Sequence, residues 1–174
     1  SNMSSSRALR DITNKHNGSY QASAVGEVNV VALMKETNAI IGGEGNGGII
    51  YPESHYGRDA LVGIGLFLTH LAQKNKKVSA LRAEYPAYIM SKNKIELSAN
   101  LNVDLILATV AEQYKSERVN TIDGVKIDFS DRWVHLRKSN TEPIIRIYSE
   151  APTENEANAL AQQIIQVIQG IAGI

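Results

Sequence analysis

The spacing of apolar and polar positions divides this chain into two stretches of different character. From Arg7 to His16, Leu9 and Ile12 share a helical face, Ser5 or Ser6 stands where an N-cap belongs, and Asn17-Gly18 reads as a stop. Tyr20 to Val25 reads as a strand, and Val28 to Lys35 as a short helix. Ala39-Ile40-Ile41 and Ile49-Ile50-Tyr51 are short, branched apolar runs that predict buried strands on either side of a glycine-rich loop. Arg58-Asp59 opens a helix reaching Lys74, with Leu61, Ile64, Leu68 and Leu71 at helical spacing. The lack of charge from Ala60 to Leu68 predicts burial nearly all round. Lys74-Asn75-Lys76-Lys77 is then a solvated loop, Val78 to Glu84 a short helix, and Tyr85-Pro86 a break.

From Ala87 the order becomes strand, helix, several strands, helix. Val103, Ile106, Leu107, Val110, Ala111 and Tyr114 form one apolar helical face; Ala157, Leu160, Ala161, Ile164, Ile165 and Ile168 form another, preceded by the capping-box pair Thr153 and Glu156. Between them lie strand-like Val125 to Phe129, Trp133 to Arg137 and Ile144 to Tyr148. The pattern predicts an α/β part over residues 1–84, lacking its opening strand and so carrying one unpaired sheet edge, and an α+β domain over 85–174 with two helices on one face of an antiparallel sheet.

Composition narrows the functional classes. Eighteen Lys+Arg balance eighteen Asp+Glu, which leaves no electrostatic footprint for nucleic acid. The absence of cysteine excludes a disulfide framework and any thiolate metal site. The longest uncharged apolar run, Ala60 to Leu68, is too short to span a bilayer, and no signal peptide is evident, so a cytoplasmic location is expected. Ser1-Asn2 reads as a remnant of expression, with native sequence from Met3.

Two loops carry the candidate chemistry. Arg137-Lys138-Ser139-Asn140-Thr141-Glu142-Pro143 lies between two strand-like runs and concentrates a guanidinium, two hydroxyls, an amide and backbone N–H groups. A fork-shaped cation among turn donors suits a phosphate group, although Ser, Asn and Thr also favour ordinary polar turns. Gly42-Gly43-Glu44-Gly45-Asn46-Gly47-Gly48 lies between the earlier apolar runs, with Glu44 and Asn46 as its only polar side chains. Gly43, Gly45 and Gly48 satisfy G-x-G-x-x-G, but Ile49-Ile50-Tyr51-Pro52 follows instead of a helix, which excludes a dinucleotide fingerprint. A carboxylate in such a turn can accept hydrogen bonds from two adjacent sugar hydroxyls.

In this order and separation, the loops resemble the C-terminal part of the α-D-phosphohexomutases, the phosphoglucomutase/phosphomannomutase/phosphoglucosamine mutase superfamily. The sugar loop of its third domain is matched by Glu44, Gly45, Asn46 and Gly47, and the phosphate loop of its fourth by Arg137, Ser139, Asn140, Thr141 and Pro143. Gly48 departs from the His found there in many members. The resemblance implies an α/β partial third domain followed by a TATA-binding-protein-like fourth domain. It also implies further N-terminal domains of the same chain, with a catalytic phosphoserine and a Mg²⁺ loop whose strings are absent here. The implied chemistry is reversible phosphoryl transfer between the 1 and 6 positions of a hexose phosphate, with a hexose 1,6-bisphosphate as intermediate and activator. Glu44, Asn46 and Gly47 would hold the sugar, and Arg137, Ser139, Asn140 and Thr141 the phosphate not being transferred.

Three further residues are cleft candidates. Glu27 aligns by resemblance with a position often occupied by His, or serves as a helix-entry carboxylate. His55 follows the glycine loop, and Arg146 shares the face of Arg137 or the opposite one depending on register. The four histidines, His16, His55, His70 and His135, show no metal-ligand spacing, and no metal site is expected in these residues. Two other classes compete: a noncatalytic sugar-phosphate-binding or regulatory module, and a structural domain in which both loops are plain turns.

Overall fold

A computed structural model describes residues 1–98, 101–139 and 142–173, which form two units, Ser1–Ala87 and Tyr88–Ile174. In the first, α1 (Arg7–Lys15) is capped by Ser6, whose hydroxyl accepts from the Ala8 N–H. After α2 (Glu27–Thr37) come three short antiparallel strands in the order β1 (Gly42–Gly43), β2 (Ile49–Tyr51) and β3 (His55–Arg58). α3 (Ala60–Lys74) begins at Asp59, whose carboxylate accepts from the Val62 N–H, and α4 (Val78–Arg82) closes the unit. The core is small: Val30 and Met34 of α2 pack on Ile50 of β2.

Three expectations for this unit are corrected. Tyr20 to Val25 is not a strand; its pairing is one parallel bridge, Asn2 to Ser23, too brief to propagate a ladder. The strand before the glycine loop is Gly42–Gly43 and not Ala39 to Ile41, and Ile40 is 81% exposed. α3 has no buried residue: Leu61, Ile64 and Leu68 all face solvent. Lack of charge marks a helix as able to be covered, and covering it takes a partner surface that the described residues do not provide. Asn2, by contrast, is buried, and its side chain bonds Glu44.

In the second unit, β4 (Ile89–Glu96), α5 (Val103–Gln113), β5 (Arg118–Asn120), β6 (Val125–Asp128), β7 (Trp133–Lys138), β8 (Ile144–Ala151) and α6 (Glu154–Ala172) follow in chain order. The five strands form one antiparallel sheet in the order β4-β8-β7-β6-β5. Ile106, Leu107 and Val110 of α5 and Leu160, Ala161, Ile164 and Ile168 of α6 pack on Val125, Ile127, Val134, Leu136, Ile145 and Ile147 of the sheet. This is the expected α+β arrangement, and the Thr153–Glu156 capping box forms as the sequence predicts. The period of two sends Trp133, His135 and Arg137 to the face away from the helices.

Candidate functional site

The glycine loop closes as a tight turn: Gly47 N–H donates to the Glu44 carbonyl at 3.1 Å and Glu44 N–H to the Gly48 carbonyl at 3.0 Å. The Glu44 carboxylate is fixed from two distant points. Asn2 Nδ2 donates to its Oε1 at 2.8 Å and the Gly26 N–H at 3.2 Å. Asn2 is itself locked, its Oδ1 accepting from Ser4 N–H and Ser5 Oγ. Oε2 of Glu44 makes no hydrogen bond among the described residues, so one carboxylate oxygen is held and the other remains to accept. Asn46 spends its Oδ1 on the Gly48 N–H at 3.1 Å, which leaves its amide nitrogen as a donor.

Next to this turn lies an ion pair that the sequence reading missed. Arg58 Nε sits 2.7 Å from Glu27 Oε2, and the Arg58 N–H donates to Glu27 Oε1 at 3.1 Å. A Cβ on residue 48 would lie 2.6 Å from Arg58 Cδ, so the departure to Gly48 makes room for that arginine. Glu27 is thus both the first residue of α2 and the partner of Arg58, adjacent in sequence to the Gly26 that holds Glu44. His55 is engaged locally. Its Nδ1 accepts from the Gly57 N–H and its Nε2 faces Asp59 Oδ2 at 3.1 Å. The Asp59 carboxyl is held below its ordinary range, chiefly by the Val62 N–H and also by His55.

In the second unit, the Arg137–Pro143 loop joins neighbouring antiparallel strands, with Ser139 N–H donating to the Ile144 carbonyl at 3.0 Å. Asn140 and Thr141 lie outside the described residues. The register decides Arg146: it pairs directly with Arg137 across β7 and β8, on the same face, and Lys94 of β4 pairs directly with Arg146. Like charges placed opposite one another are unfavourable unless an anion offsets them. Lys94 has Glu96 at 3.0 Å, whereas Arg146 is exposed and has no partner among the described residues.

The guanidinium of Arg137 is placed by a turn that the sequence reading also passed over. Asp123 Oδ2 lies 2.9 Å from Arg137 Nε, both side chains being about three-quarters buried at 22% and 27% exposure. The Asp123 carbonyl faces His135 Nε2 at 2.7 Å, and His135 is buried, so desolvation pushes its pKa down to about 4. Further along, the indole of Trp133 donates to Glu150 Oε1 at 2.7 Å, and Lys126 Nζ sits over its ring. On the other side of the sheet, Lys138 pairs with Asp104 in the first turn of α5. Among the described residues, no three His, Asp or Glu side chains converge as a metal site, and no helix is long and apolar enough to cross a membrane.

The first unit thus presents a turn carboxylate with one free oxygen and an amide donor, and the second a loop beside two opposed guanidinium groups. Comparison with known proteins gives the family. Residues 1–88 match the family model for phosphoglucomutase/phosphomannomutase, alpha/beta/alpha domain III, and residues 73–167 match that for the C-terminal domain. Over 170 residues the chain is 38% identical to the phosphoglucosamine/phosphogalactosamine mutase of Sulfurisphaera tokodaii, covering 97% of this chain and 37% of the relative. It is 36% identical to the phosphoglucomutase/phosphomannomutase of Thermococcus kodakarensis, with 96% and 37% covered. A solved phosphoglucomutase/phosphomannomutase family protein from Burkholderia thailandensis shares the fold at TM-score 0.75 and 24% identity, over 94% of this chain and 35% of that one. The chain spans just over a third of the length of these relatives, and it belongs to the phosphoglucomutase/phosphomannomutase family.

Proposed function

We propose that this chain supplies the sugar-holding and phosphate-holding parts of an enzyme that interconverts hexose 1-phosphates and hexose 6-phosphates. The reading joins the family membership to two sites. In the first unit, Glu44 Oε2 accepts from a sugar hydroxyl and the Asn46 amide donates to another. In the second, Arg137 grips a phosphate with Ser139, Asn140 and Thr141, and Arg146 adds a second cation. The observation that carries it is the direct pairing of Arg146 with Arg137 beside the loop: Asp123 offsets part of the charge on Arg137, and a bound dianion would offset that on exposed Arg146. Positioning and electrostatic stabilisation are what phosphoryl transfer asks of a protein, and these residues provide both without a nucleophile.

The phosphoserine and the further domains that the family reading implies belong to the whole enzyme, and a hexose 1,6-bisphosphate would be its intermediate and activator. The Mg²⁺ it implies does not fit the described residues, since no acidic cluster converges among them; no step is assigned to it. A cytoplasmic enzyme of sugar metabolism is the corresponding setting. The test is turnover of glucose, mannose and glucosamine 1-phosphates by the full-length protein, paired with Arg137→Ala. Loss of kcat/KM on at least one sugar phosphate is expected; an unchanged value on all three rejects the reading.

A further inference from the structure

The Asp123-Gly124 turn between β5 and β6 is pinned to β7 at three consecutive residues. The Asp123 carbonyl bonds His135, whose burial keeps the ring neutral. Gly124, at φ +73°, lies so close to β7 that a Cβ there would stand 2.1 Å from the Leu136 carbonyl oxygen and 3.2 Å from the Arg137 Cα. The Asp123 carboxylate then reaches Arg137 Nε at 2.9 Å, with the oxygen off the N–H direction, so that Nε–H makes no hydrogen bond among the described residues. A carboxylate beside a phosphate-binding cation is electrostatically adverse, because it cancels charge that would attract the anion. Its presence on so closely fitted a turn calls for a benefit that outweighs the lost charge.

We propose that Asp123 is a positioning residue for phosphate binding: it clamps the Nε edge of Arg137, so that the guanidinium is held in place before a phosphate meets its outer Nη1 and Nη2 donors. A free arginine side chain loses rotamer entropy when a ligand orders it. The clamp removes much of that loss before the ligand arrives, which is pre-organisation. The inference rests on the reading of Arg137 as the phosphate ligand, and it assigns to Asp123 a role that charge alone contradicts.

That contradiction supplies the test. The 174-residue chain is titrated with inorganic phosphate while the Arg137 Nε–Hε resonance and the backbone amides are followed by NMR, for the parent, Asp123→Asn, Asp123→Ala and Arg137→Ala. As a plain counter-charge, Asp123 would weaken binding, and both Asp123 variants would bind phosphate more tightly. As a clamp, it predicts about tenfold weaker binding in Asp123→Ala and a smaller loss in Asp123→Asn, which keeps an oxygen beside Nε. In both, the Nε–Hε signal moves toward that of a free arginine. Equal or tighter binding in Asp123→Asn with a native amide spectrum overturns the clamp, and this arm decides if Asp123→Ala does not fold. Unchanged binding in Arg137→Ala instead overturns the phosphate-site reading itself.

Discussion

Arg137 and Arg146 stand directly opposite each other on β7 and β8, with Lys94 next in the row on β4. Asp123 stands against Arg137 and Glu96 against Lys94, and a phosphate bound on that face would offset the charge left on Arg146. Replacing Arg137 by Ala in the whole enzyme should cost roughly 2–4 kcal/mol of transition-state binding, the scale of lost charged hydrogen bonds. Arg146→Ala should cost about 1 kcal/mol and reduce the salt sensitivity of binding. Phosphate titrations at two ionic strengths check this, and an Arg146 variant with unaltered salt dependence would remove it from the site.

Substitutions at Glu44 separate its bonds within the fold from the proposed sugar contact. In Glu44→Gln, the amide oxygen can still accept from Asn2 Nδ2 and the Gly26 N–H, while the outward group becomes a donor. Thermal stability should change by less than about 1 kcal/mol while sugar-phosphate binding weakens. Glu44→Ala leaves the buried Asn2 amide unpaired and should cost about 1–3 kcal/mol of stability as well. Melting curves and ligand titrations on both variants separate the two effects.

Gly124→Ala should be among the most destabilising single changes in the second unit. Its Cβ would collide with the Leu136 carbonyl, a backbone atom that cannot move aside, and the positive φ adds strain. A loss of roughly 2–4 kcal/mol is expected by chemical denaturation. A value under half a kcal/mol would mean that the turn can lift off β7.

His135 makes the second unit acid-sensitive. In the folded chain it stays neutral down to about pH 4, whereas its ordinary value is 6.5. The unfolded chain therefore takes up the proton first. The stabilisation is whole above pH 6.5 and is lost as the pH falls toward 4, by on the order of 3 kcal/mol. Denaturation at stepped pH, compared with His135→Gln, checks it; equal slopes for the two proteins would assign the acid sensitivity elsewhere.

The chain alone should show no mutase activity, since the roles proposed for its loops are binding roles that include no nucleophile or phosphoryl carrier. Ser6 caps α1 and the Ser5 hydroxyl bonds Asn2, so neither is placed as a phosphoserine. Incubation with hexose 1-phosphates, Mg²⁺ and a hexose bisphosphate should yield no 6-phosphate above blank. Stoichiometric phosphorylation of the purified chain would overturn this.

What the sequence by itself determined was what local rules encode. The Thr153–Glu156 capping box, the apolar faces of α5 and α6, the alternation of β6 to β8, and the turn chemistry of the two loops all follow from spacings within a few residues. Tertiary structure decided what depends on distant partners. Whether Arg146 would face Arg137 hung on strand register, which a slip of one residue reverses. Asn2 and Glu44 are 42 residues apart, and Glu27 and Arg58 are 31 apart, with nothing in either local sequence announcing the other. The contact of Asp123 with Arg137 arises only when β6 is laid against β7. Ile40 and α3 show the same limit from the other side: an apolar run records a capacity for burial, and only a packed neighbour in three dimensions turns that capacity into a core.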